Sequence, residues 1–548
     1  MRMMKTVVGG AAAVMLLAGC SATGTSGNQS SSGGVLTIAN VAGQTWTCGF
    51  NPFNPAVNYL SFGFVYEPLY YVNALQNNAT TPMLATSYKW GPDKKSISFT
   101  IRHGVKWNDG KPLTAQDVAF TFNLMKTNPG LDFNALWSTI LTGVSAHGDT
   151  VTMTFKSPAA PYFYYVAGDT PIVPQHIWGG SGPAAKDPVK YQDATPVGSG
   201  PYKVNPCQAN NITYTANPHY WQPGKPAVKT VNYPAYTDND PANLDLASGK
   251  DQWGGQFIPS IQKLYVSRDP ANHHYWFPPT TNVALYFNLK HPITSNVNIR
   301  RAFAYAIDRA AVSKIGESGY QPPANQTGVV LPTYKQWYDA SAAAQAGFTK
   351  PDRAKAAQLL KSAGYSPSHP LKLSVITISG YTDWDASLSE IKQELAPLGV
   401  DLTIDDLAGN TFDERLFNGD FDLAYYSQVG GPGPYYEFRQ ILDSRNSAPL
   451  GQPAASNYER YDNPAVDKAL DEFAQADPAT QRKLLDTVQQ AMLRDVPVIP
   501  TTESVNWYEY NTGAFTGWPT PNNPYALPAP WQIPDEEQVL LHLKPVHQ

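Results

Sequence analysis

Charge is scarce in this chain of 548 residues: only 15% of them are Asp, Glu, Lys or Arg. The net charge of −5 offers no basic field, which excludes a surface built for nucleic acid. Cysteine is scarcer still, at three residues, too few for the disulfide framework of a small secreted domain. None of the three has metal-ligand spacing, and the pair His273-His274 lacks it as well. The zinc-hydrolase pattern HExxH and the nucleophile elbow GxSxG are missing, and no Cys–His nucleophile arrangement offers itself. No glycine-rich loop ends in Gly-Lys-Ser/Thr, so no nucleotide site is expected, and no cofactor or metal. No internal repeat at a fixed period occurs, which excludes solenoids and propellers.

What the chain does have is length, proline and aromatic rings. At 548 residues it exceeds what one core supports, so two or three domains are expected. The 48 prolines sit in a sequence that is 42% hydrophobic, which argues for many ordered loops rather than disorder. The 32 Tyr and 13 Trp suit a protein that grips something with flat, amphipathic rings, although large exported α/β proteins are often aromatic-rich anyway.

The first twenty residues read as a targeting segment. Arg2 and Lys5 form a basic start, and Val7 to Leu17 is apolar but shorter than the roughly 20 residues a membrane span requires. Leu17-Ala18-Gly19-Cys20 resembles a bacterial lipobox, in which the Cys thiol is diacylated and becomes the mature N-terminus. Residues 21–34 are nearly all Ser, Gly, Thr and Asn, a flexible tether. The mature chain is thus expected outside the cytoplasmic membrane, held there by lipid on Cys20. Cys48 and Cys207 remain, and an exported chain can pair them.

The most informative stretch is Ile101 to Phe122. Ile97, Phe99 and Ile101 alternate with polar residues at the two-residue period of a half-buried strand. Asn108-Asp109-Gly110 makes a turn, and Pro112 ends the strand. Thr114, with Asp117 three residues on, starts a helix whose apolar face is Val118, Ala119 and Phe122. Further along stand Tyr66-Glu67-Pro68-Leu69, the proline-flanked Pro171 to Ile177, and Pro196-Val197-Gly198-Ser199-Gly200-Pro201-Tyr202. The last is a backbone corner that few residue types allow. Ile299, Ala302, Phe303, Ala306, Ile307 and Ala310 form one apolar helical stripe, with Arg300 and Asp308 off it as solvated or paired charges. Beyond it, Asp352 to Tyr365, Leu371 to Ile376, Ser387 to Leu398, Val400 to Ile404 and Phe421 to Tyr425 alternate helix and strand, which implies βα units and a partly parallel sheet. A long helical run then covers Asp467 to Val496.

In this order the marks resemble the family 5 solute-binding proteins, the peptide- and oligosaccharide-binding components of ABC importers, from Cys20 to the C-terminus. The resemblance implies an α/β fold of the larger, three-domain, two-lobed periplasmic-binding-protein type, with mixed sheets flanked by helices. A discontinuous domain I would comprise residues 35–65, 190–290 and 500–548. Domain II would be an insertion at 66–189, and domain III would span 291–499. The lobes would close on a ligand about two crossing segments, near Asn288 to His291 and Val498 to Thr502. The implied partners are a permease, a separate ATPase and the membrane through the N-terminal lipid; the chain itself is expected to be a monomer and no enzyme.

Two features bear on the ligand. Peptide-binding members of the family place an Asp after the strand corresponding to Phe421–Tyr425, where it meets the peptide's α-amino group. Here that position falls at or near Gly431, within Gln428-Val429-Gly430-Gly431-Pro432. A buried ammonium without a carboxylate partner costs several kcal/mol, so the departure weakens a peptide reading unless Asp405 or Asp406 substitutes. The ending Gly517-Trp518-Pro519-Thr520-Pro521-Asn522-Asn523 resembles the oligosaccharide-binding branch. A pyranose offers an apolar face for rings and an edge of hydroxyls for amides. Candidate rings are Trp46, Trp253, Trp276, Tyr426, Tyr435 and Trp518, and candidate hydroxyl partners are Asn282, Gln428 and Asn523. Trp276 fits a core as well as a cleft, and Trp518 fits a tail anchor. A short oligosaccharide is the favoured ligand and a peptide the alternative; a secreted glycosidase using two carboxylates is the remote one.

Overall fold

The structure is a computed structural model that describes residues 34–427 and 431–546. Cys20 and most of the tether lie outside the described residues. A seven-stranded sheet runs in the order His273–Tyr275, Glu509–Asn511, Trp253–Gly254, Val35–Ala39, Thr230–Pro234, Asn211–Ala216, Tyr202–Gln208. Its central strand, Val35–Ala39, pairs in parallel with both neighbours, so the start, the middle and the end of the chain meet in one layer. Alternation explains the sheet's buried face: Ile212 and Tyr214 on one strand lie inside with Val231 and Tyr233 on the next. Packed on the same core is a four-stranded antiparallel sheet, Ala85–Trp90, Ser96–Ile101, Thr150–Phe155 and Leu141–His147. Cys48 and Cys207, 159 residues apart in sequence, are joined by a disulfide that ties the loop after the central strand to the sheet's edge.

The turn and helix predicted around Asn108 form as expected. Asp117 accepts the backbone N–H of Thr114 at 2.8 Å and its hydroxyl at 3.0 Å, starting the helix Ala115–Thr127. Asn108 donates its backbone N–H to the Gly198 carbonyl, so the turn docks on the glycine-rich corner. That corner needs its glycines, because a Cβ on Gly198 would meet the Val65 carbonyl oxygen at 1.9 Å.

A second core surrounds a five-stranded sheet ordered Val400–Leu407, Leu371–Ile378, Leu423–Ser427, Pro279–Phe287, Val498–Val505. The first three strands are parallel and joined by helices, which are the expected βα units; the last two are antiparallel. Three local expectations are corrected. The stripe from Ile299 is two helices, Val297–Ala306 and Arg309–Ile315, because Asp308 caps the second by accepting from the backbone of Ala310 and Ala311. Arg300 is buried, not solvated, donating to the carbonyls of Thr294, Ser295, Asp495 and Val496. The helical run from Asp467 also divides, into Pro464–Phe473 and Pro478–Asp495, where Asp477 caps and Pro478 takes the first position.

The chain crosses between the two cores at places other than those expected. The strand Pro279–Phe287 already belongs to the five-stranded sheet, and Val498–Val505 stays in that sheet throughout. The crossings are Trp276–Pro278 and Asn506–Tyr508, which bond to each other: Trp276 N–H to the Tyr508 carbonyl at 3.0 Å and Asn506 N–H to the Pro278 carbonyl at 2.7 Å. Asn288 to His291 instead lies within the second lobe, held by the carbonyls of Asp422 and Glu459. The two long strands pair with each other along their length, which places both with the second core.

Candidate ligand-binding cavity

Between the lobes lies a cavity of about 390 Å³, within the range of about 300–1,000 Å³ usual for small-molecule sites. Its second-lobe wall is built at the carboxyl ends of the three parallel strands, the place where open α/β sheets hold ligands. After Leu371–Ile378 come Tyr381, Asp383 and Trp384, at the start of the helix Thr382–Leu395. After Val400–Leu407 comes Asp413, on the helix Gly409–Asn418, and Tyr426 ends the third strand. Tyr458 completes that side. The first-lobe wall carries Tyr59, Phe133, Tyr164, Asp169, Gln256 and Phe257, while Trp507 enters from the crossing segment.

The electrostatics of the wall are one-sided. Three carboxylates line it, Asp169, Asp383 and Asp413, and no Lys, Arg or His does among the described residues. Burial pushes each of the three up to about 7. Asn134 opposes the shift at Asp169 by donating its amide at 2.9 Å. Backbone N–H groups at the helix start oppose it at Asp383. Asp413 has no hydrogen bond or ion pair with any described residue, and burial alone governs it. Gln256, 4% exposed, also lines this space, and its amide donates to Asn243.

Both rims are closed. On one, Gly409 donates its N–H to the Gly43 carbonyl and the Tyr381 hydroxyl donates to the Val41 carbonyl at 2.9 Å. On the other, the Tyr436 hydroxyl donates to the Pro161 carbonyl at 2.9 Å, and the Arg439 guanidinium lies 5.1 and 5.2 Å from the ring centres of Tyr162 and Tyr165.

Of the nine residues proposed from sequence, Tyr426 lines the cavity. Gln428 lies outside the described residues. The other seven do not line it. Trp46 is in the first core, with its indole N–H on the Tyr233 carbonyl. Trp253 and Trp518 pack edge to face at 6.1 Å, and both N–H groups are taken by backbone carbonyls. Trp276 belongs to a crossing segment and packs against the first core. Tyr435 stacks on Phe473 in the second core, and Asn282 bonds Gly328 and Glu437. Asn523 is an exposed turn residue of the tail. Asp405 and Asp406, offered as substitute acids, do not line the cavity either. The carboxylates that do were missed, although one signal pointed to them: the strands Leu371–Ile378 and Val400–Leu407 were legible, and the residues just beyond their carboxyl ends are Asp383 and Asp413.

Residues 79–449 match the family described as bacterial extracellular solute-binding proteins, family 5. Protein XP55 of Streptomyces lividans is 29% identical over 434 residues, covering 76% of this chain and 74% of that protein. The oligopeptide-binding protein OppA of Bacillus subtilis is 24% identical over 460 residues, covering 76% and 78%. Among solved structures, the mannohexaose-bound periplasmic oligopeptide-binding protein of Thermotoga maritima superimposes with a TM-score of 0.85 at 25% identity, over 94% of this chain and all of that one. The fold, the cavity between two lobes and the matched residues agree, and the chain belongs to the family 5 solute-binding proteins.

Proposed function

We propose that this protein captures a short oligosaccharide between its lobes and delivers it to the permease of an ABC importer whose ATPase is a separate chain. It would act as a monomer outside the cytoplasmic membrane, anchored by lipid on Cys20, without converting its ligand. The observation that carries the sugar reading is the cavity wall: it combines rings from both lobes with amides and carboxylates, and among the described residues no side-chain cation lines it to hold a peptide's terminal carboxylate. The likeness to a mannohexaose-bound structure supports it. Closure would turn about the paired crossings Trp276–Pro278 and Asn506–Tyr508, the two segments that join the lobes. The three-domain division, with an inserted domain at 66–189, is part of the same reading.

A peptide is the second reading, favoured by the likeness to an oligopeptide-binding protein and by carboxylates in the wall that an α-amino group would suit. Unfolding and refolding the purified protein strips any carried ligand. Tryptophan fluorescence is then followed against cello- and manno-oligosaccharides and against a pool of short peptides. Saturation by one sugar series, with peptides silent and the sugar recovered unchanged, is the expected result. Saturation by peptides alone would overturn it, and release of shortened sugar would make the protein a hydrolase.

A further inference from the structure

Asp413 stands apart from the other carboxylates of the cavity wall. It is half-buried there with no partner among the described residues, and a charged donor would satisfy its carboxylate more strongly than a sugar hydroxyl. Asp169 has the Asn134 amide and Asp383 has backbone N–H groups, so the two other carboxylates are already served. Around Asp413 the wall is aromatic: Tyr59, Tyr381, Tyr426 and Tyr458 all face the same cavity. Burial first, and then neighbouring charges that include Asp413, hold all four phenols above their ordinary range. Tyrosine faces attract a cation electrostatically, and a carboxylate within such a cage supplies the counter-charge.

We propose that Asp413, caged by Tyr59, Tyr381, Tyr426 and Tyr458, is a subsite for a primary ammonium group, and that the ligand is an oligosaccharide bearing a free amino group. The proposal rests on the oligosaccharide reading, and the same ammonium chemistry is available from a peptide's N-terminus, so the experiment separates the two. Free-amine and N-acetylated glucosamine oligomers, cello-oligosaccharides, and short peptides with free or acetylated N-termini are titrated into the refolded mature chain at neutral pH. The same series is run on D413N and D413E, with the melting temperature of each variant measured first.

The expected result is that the free-amine sugar binds at least about tenfold more tightly than its acetylated form, that D413N removes the difference and that D413E keeps it. If free-amine peptides are preferred over acetylated ones with the same dependence on Asp413, while all sugars are silent, the ammonium subsite stands and the sugar reading falls. If neutral or acetylated sugars bind as tightly as free-amine ones, the subsite is overturned and the sugar reading stands. The comparison of amine with acetyl on the unaltered chain decides this even if D413N fails to fold.

Discussion

Tryptophan divides into two populations here, and their substitutions separate binding from stability. Trp253 is fully buried, with its N–H on the Pro528 carbonyl at 2.8 Å. Trp253→Ala should cost about 3–5 kcal/mol of stability, read as a lower denaturant midpoint, and leave ligand affinity per folded molecule unchanged. Trp507 lines the cavity and packs edge to face on Phe257, another lining residue, at 5.7 Å. Trp507→Ala should weaken ligand binding by about tenfold or more in a fluorescence or calorimetric titration, with a smaller stability loss. Equal affinity in Trp507→Ala would show that the rings of this wall do not cover the ligand. Why sequence favoured the first population is physical: a ring's composition and neighbours are the same whether it faces a core or a cleft. The folded chain decides it: Trp46, Trp253 and Trp518 lie in the first core with their N–H groups on backbone carbonyls, whereas Trp507 lines the cavity.

Among the elements, the helix Pro434–Leu442 bridges the two lobes. Its Arg439 is 1% exposed, sits over Tyr162 and Tyr165 of the opposite lobe, and bonds Asp443 at 3.2 Å. Asp443 is also held by Arg445 at 2.7 Å, so removing Arg439 leaves no orphaned carboxylate. Arg439→Ala should therefore loosen closure more than it unfolds the protein. The expected outcome is a larger radius of gyration in X-ray scattering without ligand and several-fold weaker ligand binding, together with a lowered melting temperature from the vacated side-chain volume. An unchanged radius would mean that the other rim, Tyr381 and Gly409, suffices. This helix also illustrates a limit of local pattern. Its start, Pro434 after Gly433, is readable as a helix boundary, but its bridging role depends on residues about 275 positions earlier in the chain.

Across the protein as a whole, buried carboxylates dominate the dependence on pH. Besides the three in the cavity, burial pushes Asp193, Glu437, Glu503 and Asp535 up to about 7. Each holds its proton in the folded state, whereas the unfolded chain releases it near the ordinary value of about 4. The folded state thus binds more protons between those values, and stability falls as pH rises through about 7. The melting temperature should be higher near pH 5 than near pH 8, by calorimetry without ligand; the reverse order would mean that these groups are solvated and charged in the native protein. If the cavity ligand carries an ammonium group, its presence should lessen the loss at the higher pH, since it pairs with the charged form of Asp413.

Hydrophobic period, turn chemistry and capping were enough to read the strands at Ser96 and Leu371, the capped helix at Thr114, the glycine corner at Gly198 and the βα units of the second lobe. Each of these is set by neighbours within a few residues, so a linear pattern contains the cause. The break at Asp308 and the split at Asp477 are local too, each a carboxylate cap inside a continuous apolar pattern, whereas the crossings at Trp276 and Asn506 follow from the pairing of strands more than 200 residues apart. The cavity is a still clearer case. Asp169, Asp383 and Asp413 are ordinary acids in sequence, and only the meeting of two lobes removes them from water and gathers them on one wall. Family membership was legible because it rests on local segments in order; the ligand site was not, because burial and company belong to the folded chain.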